Sequence, residues 1–239
     1  MLYKTRGIIL KRTNLGEADR IVTIFTEDYG KIKVVAKGVR KTLSKMAGHL
    51  EPFCLTNFQI AEGRNLDTIT GAMVEKCFFA LRSDLEKTNA CFYMAEIVDK
   101  MVEESVVHKE IFDLLDSAFS HANELNSPLL ISYFEINFLA EMGFKPELHE
   151  CVACQEKIKA GDNSFDFDRG GLVCTDCGTG RAISDQAIKL IRLFLKHDFS
   201  SINKIKVTPE LISEIQHISS YYLRHIHQKD MKSEKYLTR

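Results

Sequence analysis

Four cysteines carry the clearest chemistry in this 239-residue sequence. Cys151-Val-Ala-Cys154 and Cys174-Thr-Asp-Cys177 are two C-x2-C pairs with 19 residues between them. Two intervening residues let both thiolates of one turn reach one metal ion. Two such turns complete a tetrahedral sulfur set, the pattern of a structural zinc site. Gly161, Gly170, Gly171, Gly178 and Gly180 supply the tight turns such a knuckle needs. Four sulfurs leave no open coordination position, so one zinc ion per chain would staple rather than catalyse. A redox dithiol pair and a metal-free knuckle are the alternatives. A zinc deaminase is excluded, since it needs H-x-E and a proline before the second pair. Here His149 and Glu150 are adjacent and Val173 precedes Cys174.

The second chemical feature is cationic. Residues 16–45 read as two short strands, a turn at Asp28-Tyr29-Gly30, and a basic loop. Alternation along a strand puts Lys31, Lys33 and Lys37 on one face and Ile32, Val34 and Ala36 on the other. Arg40, Lys41 and Lys45 extend the charge into the loop. Such a face is either solvated for solubility or meets an anion. With Arg6, Arg12 and Arg20 it forms the candidate phosphate-binding set, and Tyr29, at the turn, is the candidate for base stacking.

The elements that must position these groups follow from periodicity. Strands are expected over residues 2–12, 20–26, 31–37, 53–60 and 66–74, with a polar loop over 39–51. Five short strands in about 75 residues imply a small closed barrel, best matched by the five-stranded OB-fold, with an SH3-like barrel as alternative. The period then becomes helical. Met94, Ile97, Val98 and Met101 form one stripe, and Ile111, Leu114, Leu115, Ala118, Phe119 and Ala122 another. Ser127-Pro128 reads as a cap and first turn for a helix over 129–142. That helix is apolar on most sides and so is expected at the centre of a bundle, ended by Gly143 and Pro146. Ser184 and Thr208-Pro209 open two further helices. The expected class is α+β multidomain: an OB-fold domain over 1–80, then an all-α domain over 81–239 with the knuckle inserted at about 148–182.

Composition sets the outer limits. The net charge of −1 conceals 11 Lys and Arg against 4 Asp and Glu in residues 1–50. Residues 81–150 carry 5 basic and 14 acidic side chains, and residues 181–239 carry 11 and 6. A basic end on a near-neutral chain is an argument for an anionic partner. No apolar run reaches the length of a membrane span, and the N-terminus lacks an export-signal pattern, so the expected location is the cytoplasm, without a disulfide framework. Cys54, Cys77 and Cys91 are read as small core residues. There is no Walker loop, G-x-G-x-x-G, G-x-S-x-G or H-E-x-x-H. The sequence therefore describes a binding protein rather than an enzyme. A zinc-stapled adaptor whose basic barrel docks an acidic protein is the alternative to nucleic-acid binding.

Several stretches resemble the RecO family of bacterial DNA repair and recombination mediators. They are Gly7–Leu10, Gly16–Val22, Phe25-Thr26, Gly30-Lys31, Ala36–Arg40, Leu50–Phe53, Gly143–Leu148 and the two cysteine pairs. The resemblance implies an OB-fold, a helical domain and a zinc knuckle. It implies binding of single- and double-stranded DNA, annealing of complementary strands, and help to RecA in displacing single-strand-binding protein, with RecR. It also implies a site for the acidic tail of single-strand-binding protein on the helical domain. The acidity of 81–150 makes Lys189, Arg192 and Lys196, with Lys204 and Lys206, the expected host.

Overall fold

The computed structural model describes residues 1–78, 84–122, 127–178, 180–202 and 205–237. It divides into two compact units, Met1–Asn123 and Glu124–Arg239. The boundary read at 80/81, the side chain of Ser127 and residue Lys204 lie outside the described residues.

The first unit is built on strands β1 (Leu2–Leu15), β2 (Asp19–Thr26), β3 (Gly30–Ala36), β4 (Cys54–Ala61) and β5 (Asp67–Cys77). They close in the order β1-β2-β3-β5-β4, with β4 returning to β1. One long strand makes this closure possible. The first half of β1 pairs with β4 and its second half with β2, and Gly7 and Ile8 pair with both. Gly7 sits at that crossing because a Cβ there would stand 2.5 Å from Ile24 Cγ2. A short parallel contact, Val34 with Asp67 and Val35 with Thr68, seals the other seam. This is the expected OB-like five-strand arrangement.

Ile9, Val22, Ile24, Val34, Ala36, Phe58, Ile60 and Ile69 fill the interior from alternate strand positions. Val39 and Leu50 join them. The stretch over 39–51, read as a polar loop, thus contributes core residues from both ends, with a 3-10 turn at Ala47–His49 between them. Met46 and Ala47 pack against the same cluster, but the basic residues and glycine around them make the stretch read as a solvated loop.

Helices α1 (Leu85–Met101) and α2 (Lys109–His121) complete the unit. Asp84 caps α1, accepting from the N–H groups of Glu86 and Lys87. The helices cover the outer face of the β2–β3 hairpin. Phe25 is fully buried and its ring centroid lies 5.9 Å from that of Phe112 in α2. Gly30 lies against the backbone of Val106, where a Cβ would stand 2.1 Å from a carbonyl oxygen. The Ser105 N–H donates to Lys31 O at 3.0 Å. Lys31 itself is 6% exposed, and its ammonium donates to Asp99 O, 2.5 Å away in the last turn of α1. That carbonyl has no partner within its helix, and a cation there also suits the negative end of the helix dipole. Lys33, next along the face, pairs with Glu104.

Cysteines 54 and 77 correct a reading. They are register partners across β4 and β5, with Cα atoms 4.2 Å apart and sulfurs in bonding contact. Cys91 alone behaves as an ordinary core thiol, and burial pushes its pKa up to about 12.

The second unit centres on α3 (Ser127–Glu141), which packs against α4 (Asp185–Phe194) and α6 (Pro209–His227). Its apolar circumference places it in the middle, as expected. It also carries a buried carboxyl: Glu135, fully buried, accepts a 2.5 Å bond from Ser219 Oγ of α6. Gly143 at φ +90 ends α3, while Ser184 and Thr208 cap α4 and α6. Between α3 and α4 a small sheet, β7-β6-β8, forms from Ser164–Asp166 (β6), Gly171–Val173 (β7) and Arg181–Ala182 (β8).

Two outcomes follow for the first unit. Lys31→Ala leaves a helix-end carbonyl unpaired and lowers stability by about 1–3 kcal/mol, whereas Lys33→Ala, at an exposed pair, costs less than about 1 kcal/mol; urea unfolding midpoints measure both. The hydrogen bond from Lys33 holds the Glu104 carboxyl below its usual value of 4.5. Its stabilising contribution is complete above pH 4.5 and lost as pH falls through the lower folded value. Glu104→Gln should therefore flatten the acid limb of a stability–pH profile below that point.

Candidate nucleic-acid interface and metal centre

At one end of the barrel the β1–β2 turn and the β3–β4 loop are tied together. Gly38 N–H donates to Asp19 Oδ1 at 2.7 Å, and the Arg40 N–H donates to Ala18 O at 2.9 Å. Arg40 Nη1 donates to Gly16 O at 2.8 Å. Gly16 and Gly38 both adopt positive φ, +57 and +64, which a side chain would resist. The sequence G-E-A-D followed two strands later by K-G-V-R is therefore one linked structure. Asp19 accepts from the loop backbone, and Gly16 supplies the carbonyl that orients Arg40.

This linkage brings predicted site residues together. Arg20 pairs in register with Ala36, one residue before Lys37. Arg20 Nε donates to Asn14 Oδ1 at 3.3 Å, which holds the guanidinium without neutralising it. Lys37, Arg40, Lys41 and Lys45 are exposed. Among the described residues, none of these four forms an ion pair. Lys11, exposed on β1, adds to the same excess. Arg12 is different, since Nη1 donates to Glu51 Oε1 at 2.7 Å and to Leu50 O at 3.1 Å, anchoring the end of the loop.

Other predicted contacts are not brought there. Tyr29 lies at the β2–β3 turn, the far end of the hairpin, where its ring centroid is 4.7 Å from that of Tyr3. It is 42% exposed. Arg6 pairs with Asn57 and forks onto Glu75 at 3.0 and 2.9 Å, with a further bond to Glu27 at 2.9 Å. Those bonds hold the Glu75 carboxyl below its usual range. Lys31 is buried and Lys33 paired, so the strand face that sequence alternation singled out is met by α1 and its following loop. The acidity of residues 81–150 carried this signal, but a single sequence does not say which carboxylate faces which lysine. Glu104 and the Asp99 carbonyl were accordingly missed.

The second unit holds the cysteine cluster. The four sulfurs of Cys151, Cys154, Cys174 and Cys177 all lie within 4.8 Å of one another. Cys154 Sγ and Cys174 Sγ are 3.8 Å apart. Ligands at about 2.3 Å from a central ion in a tetrahedron stand about 3.8 Å from each other, so the spacing fits a metal of zinc size. Each pair sits in a tight turn: Gln155 N–H donates to Cys151 O at 2.8 Å and Cys177 N–H to Cys174 O at 3.1 Å. Gln155 takes positive φ, +65, to close the first. The Cys174 N–H donates to Cys151 Sγ at 3.4 Å, a contact that steadies a thiolate ligand. Cys154 and Cys174 as neighbours push the Cys177 thiol up to about 12. Four sulfurs this close need a cation between them to be thiolates together.

Lys189 on α4 and Lys196, two residues past its end, are exposed, while Arg192 of α4 is drawn inward. Its guanidinium donates to Leu148 O through Nε at 3.1 Å and through Nη2. Arg192 and Lys196 border a cleft of about 440 Å³ with Lys145, Leu148 and His149, and Lys189 lies outside its lining.

Residues 1–78 match the family described as Recombination protein O N terminal, and residues 82–235 the family described as Recombination protein O C terminal. The protein named DNA repair protein RecO of Dehalococcoides mccartyi (strain 195) is 38% identical over 235 residues, 97% of this chain and 93% of the relative. Those of Roseiflexus sp. and Bacillus pumilus are 36% and 33% identical, each over 99% of this chain and over 85% and 94% of their own lengths. The contacts of the structure group α1 and α2 with the barrel, whereas the two families meet between residues 78 and 82. By both halves of its length, the chain belongs to the RecO family of DNA repair proteins.

Proposed function

We propose that this chain is a DNA-binding recombination mediator that works by binding and not by covalent catalysis. It holds single- and double-stranded DNA on the loop end of the barrel, anneals complementary strands, and assists loading of RecA onto DNA coated by single-strand-binding protein, together with RecR. The observation that carries this reading is the group Lys37, Arg40, Lys41 and Lys45 on the β3–β4 loop, all exposed and without an ion pair among the described residues, with Arg20 beside them at the start of β2. Lys11 and Arg12 flank it. Lys31 drops out because it is buried, and Lys33 and Arg6 contribute only as paired charges. Tyr29, distant along the hairpin, is left a stacking role with Tyr3 and not with the basic loops.

The binding physics follows from what the loops present. They offer cations and backbone but no exposed aromatic ring, so phosphate contacts dominate and sequence is read weakly. A surface of this kind lowers the repulsion between two phosphate backbones, which is what annealing requires. One zinc ion on Cys151, Cys154, Cys174 and Cys177 would fix the knuckle. Arg192 and Lys196 at the cleft, with Lys189 beside it, are the proposed site for the acidic tail of single-strand-binding protein.

Replacing Lys37, Arg40 and Lys41 together by Ala should reduce single-strand affinity about tenfold or more near 0.1 M salt. It should also lower the slope of log affinity against log salt by about 2. Fluorescence anisotropy across a salt series measures both, and an unchanged slope would remove this surface from the reading. Lys31→Ala, corrected for folding, should leave the slope unaltered.

For the metal, Cys154→Ser with Cys177→Ser should abolish the single bound zinc and unfold the knuckle, seen by elemental analysis and proteolysis between residues 148 and 182. Single-strand binding by the barrel should persist in that variant.

A further inference from the structure

Outside the knuckle and the basic loops, one pair of reactive side chains has been placed by the fold. Cys54 begins β4 and Cys77 ends β5, and they are direct register partners. Their Cα atoms are 4.2 Å apart, a separation an antiparallel ladder imposes on facing residues whether or not a bond joins them. The barrel therefore accommodates both states of the pair. The thiols differ in access: Cys54 is fully buried, and Cys77 is partly exposed. Each is also chained to an aromatic anchor. Phe53, in the left-handed region at φ +62, packs edge-on against Phe92 of α1 and Phe119 of α2, and Phe78 packs against Phe119. The Phe78 N–H donates to Phe53 O at 3.3 Å. The pair thus stands where β4 begins, β5 ends and both helices attach.

We propose that Cys54 and Cys77 form a reversible redox site, a staple that closes on oxidation by a hydroperoxide and opens with a dithiol reductant. The accessible Cys77 thiolate attacks the peroxide, forming a sulfenic acid and releasing one water, or an alcohol from an organic peroxide. The Cys54 thiol, its register partner across the ladder, displaces the sulfenic oxygen as a second water, and the disulfide forms. Two thiols lose two protons and two electrons, and the peroxide O–O bond takes them up as it breaks. Reduction by a dithiol reverses this by two exchange steps. Closure links the ends of the β4–β5 hairpin, and the flanking phenylalanines carry that restraint to α1 and α2.

The test uses the full zinc-loaded chain and hydrogen peroxide. After alkylation of remaining thiols and non-reducing digestion, mass spectrometry should find one linked peptide, Cys54 to Cys77. It should disappear with dithiothreitol, with zinc retained and Cys91 free. The oxidised protein should melt about 5 °C or more above the reduced form. That difference should vanish in Cys77→Ser, while Cys91→Ala keeps it. Because Cys54→Ser alters a buried site, Cys77→Ser, at the more open position, is the deciding variant. Three results would each overturn the proposal: a stable sulfinic acid at Cys77 without a link, links to knuckle cysteines in its place, or equal melting of the oxidised and reduced forms.

Discussion

A lysine ammonium held against the open end of a helix decides which surface of this barrel is left for a ligand. Lys31 Nζ meets the Asp99 carbonyl at the end of α1, and Lys33 pairs with Glu104 in the segment that follows. Burial pushes the Lys31 pKa down, with Asp99 and Glu104 acting in the opposite direction. The helix-end carbonyl and nearby carboxylates therefore offset part of the cost of placing that charge inside. The consequence reaches beyond stability. OB-folds commonly bind oligonucleotides on the face of strands 2 and 3 and on adjoining loops. Here Lys31 and Lys33 of that face are engaged by the chain's own α1–α2 segment, which leaves the cations of the β3–β4 loop, with Lys11 and Arg20, open to solvent.

The loop end is organised on different terms. The Asp19 carboxylate accepts a backbone N–H of the β3–β4 loop, and among the described residues it forms no ion pair with Arg20 or Lys37. Arg40 is oriented by a neutral carbonyl, and Arg20 by a neutral amide. Every group that fixes these arginines is uncharged, whereas Arg6, and Arg12 at the far end of the loop, are held by carboxylates. Positioning by neutral partners preserves the net charge that a polyanion would meet. Positioning by carboxylates removes it. This distinction separates cations that hold the barrel together from those offered to solvent, and counts of basic residues do not contain it.

That difference also marks how far the sequence alone could be read. Five strands, the change to helical period, the caps at Ser184 and Thr208, the central α3 and the cysteine cluster were all legible, because each rests on local spacing or periodicity. The parity of β3 was legible too: Lys31 and Lys33 do share a face. What that face meets was not, since Asp99 and Glu104 lie about 70 residues on, and nothing local couples them to β3. Val39 and Leu50 escaped because the basic residues and the glycine between them read as a solvated loop, although Met46 and Ala47 in the same stretch also pack against the core. The Cys54–Cys77 contact escaped because register across a hairpin with two bulges in β4–β5 cannot be counted from sequence.

The aromatic residues argue for the same division of labour. Phe25, Phe58, Phe112 and Phe119 are fully buried, and Phe53 is nearly so. Phe25 fastens β2 to α2, while Phe53 and Phe119 fasten the base of β4 to both helices. A barrel that uses its aromatics in this way has few rings left to stack on bases, and the exposed Tyr29 is already engaged with Tyr3. A DNA strand held at the loop end, as proposed, would therefore meet much charge and few rings. Under that proposal two complementary strands would be treated alike, and pairing between them would be left to the strands themselves.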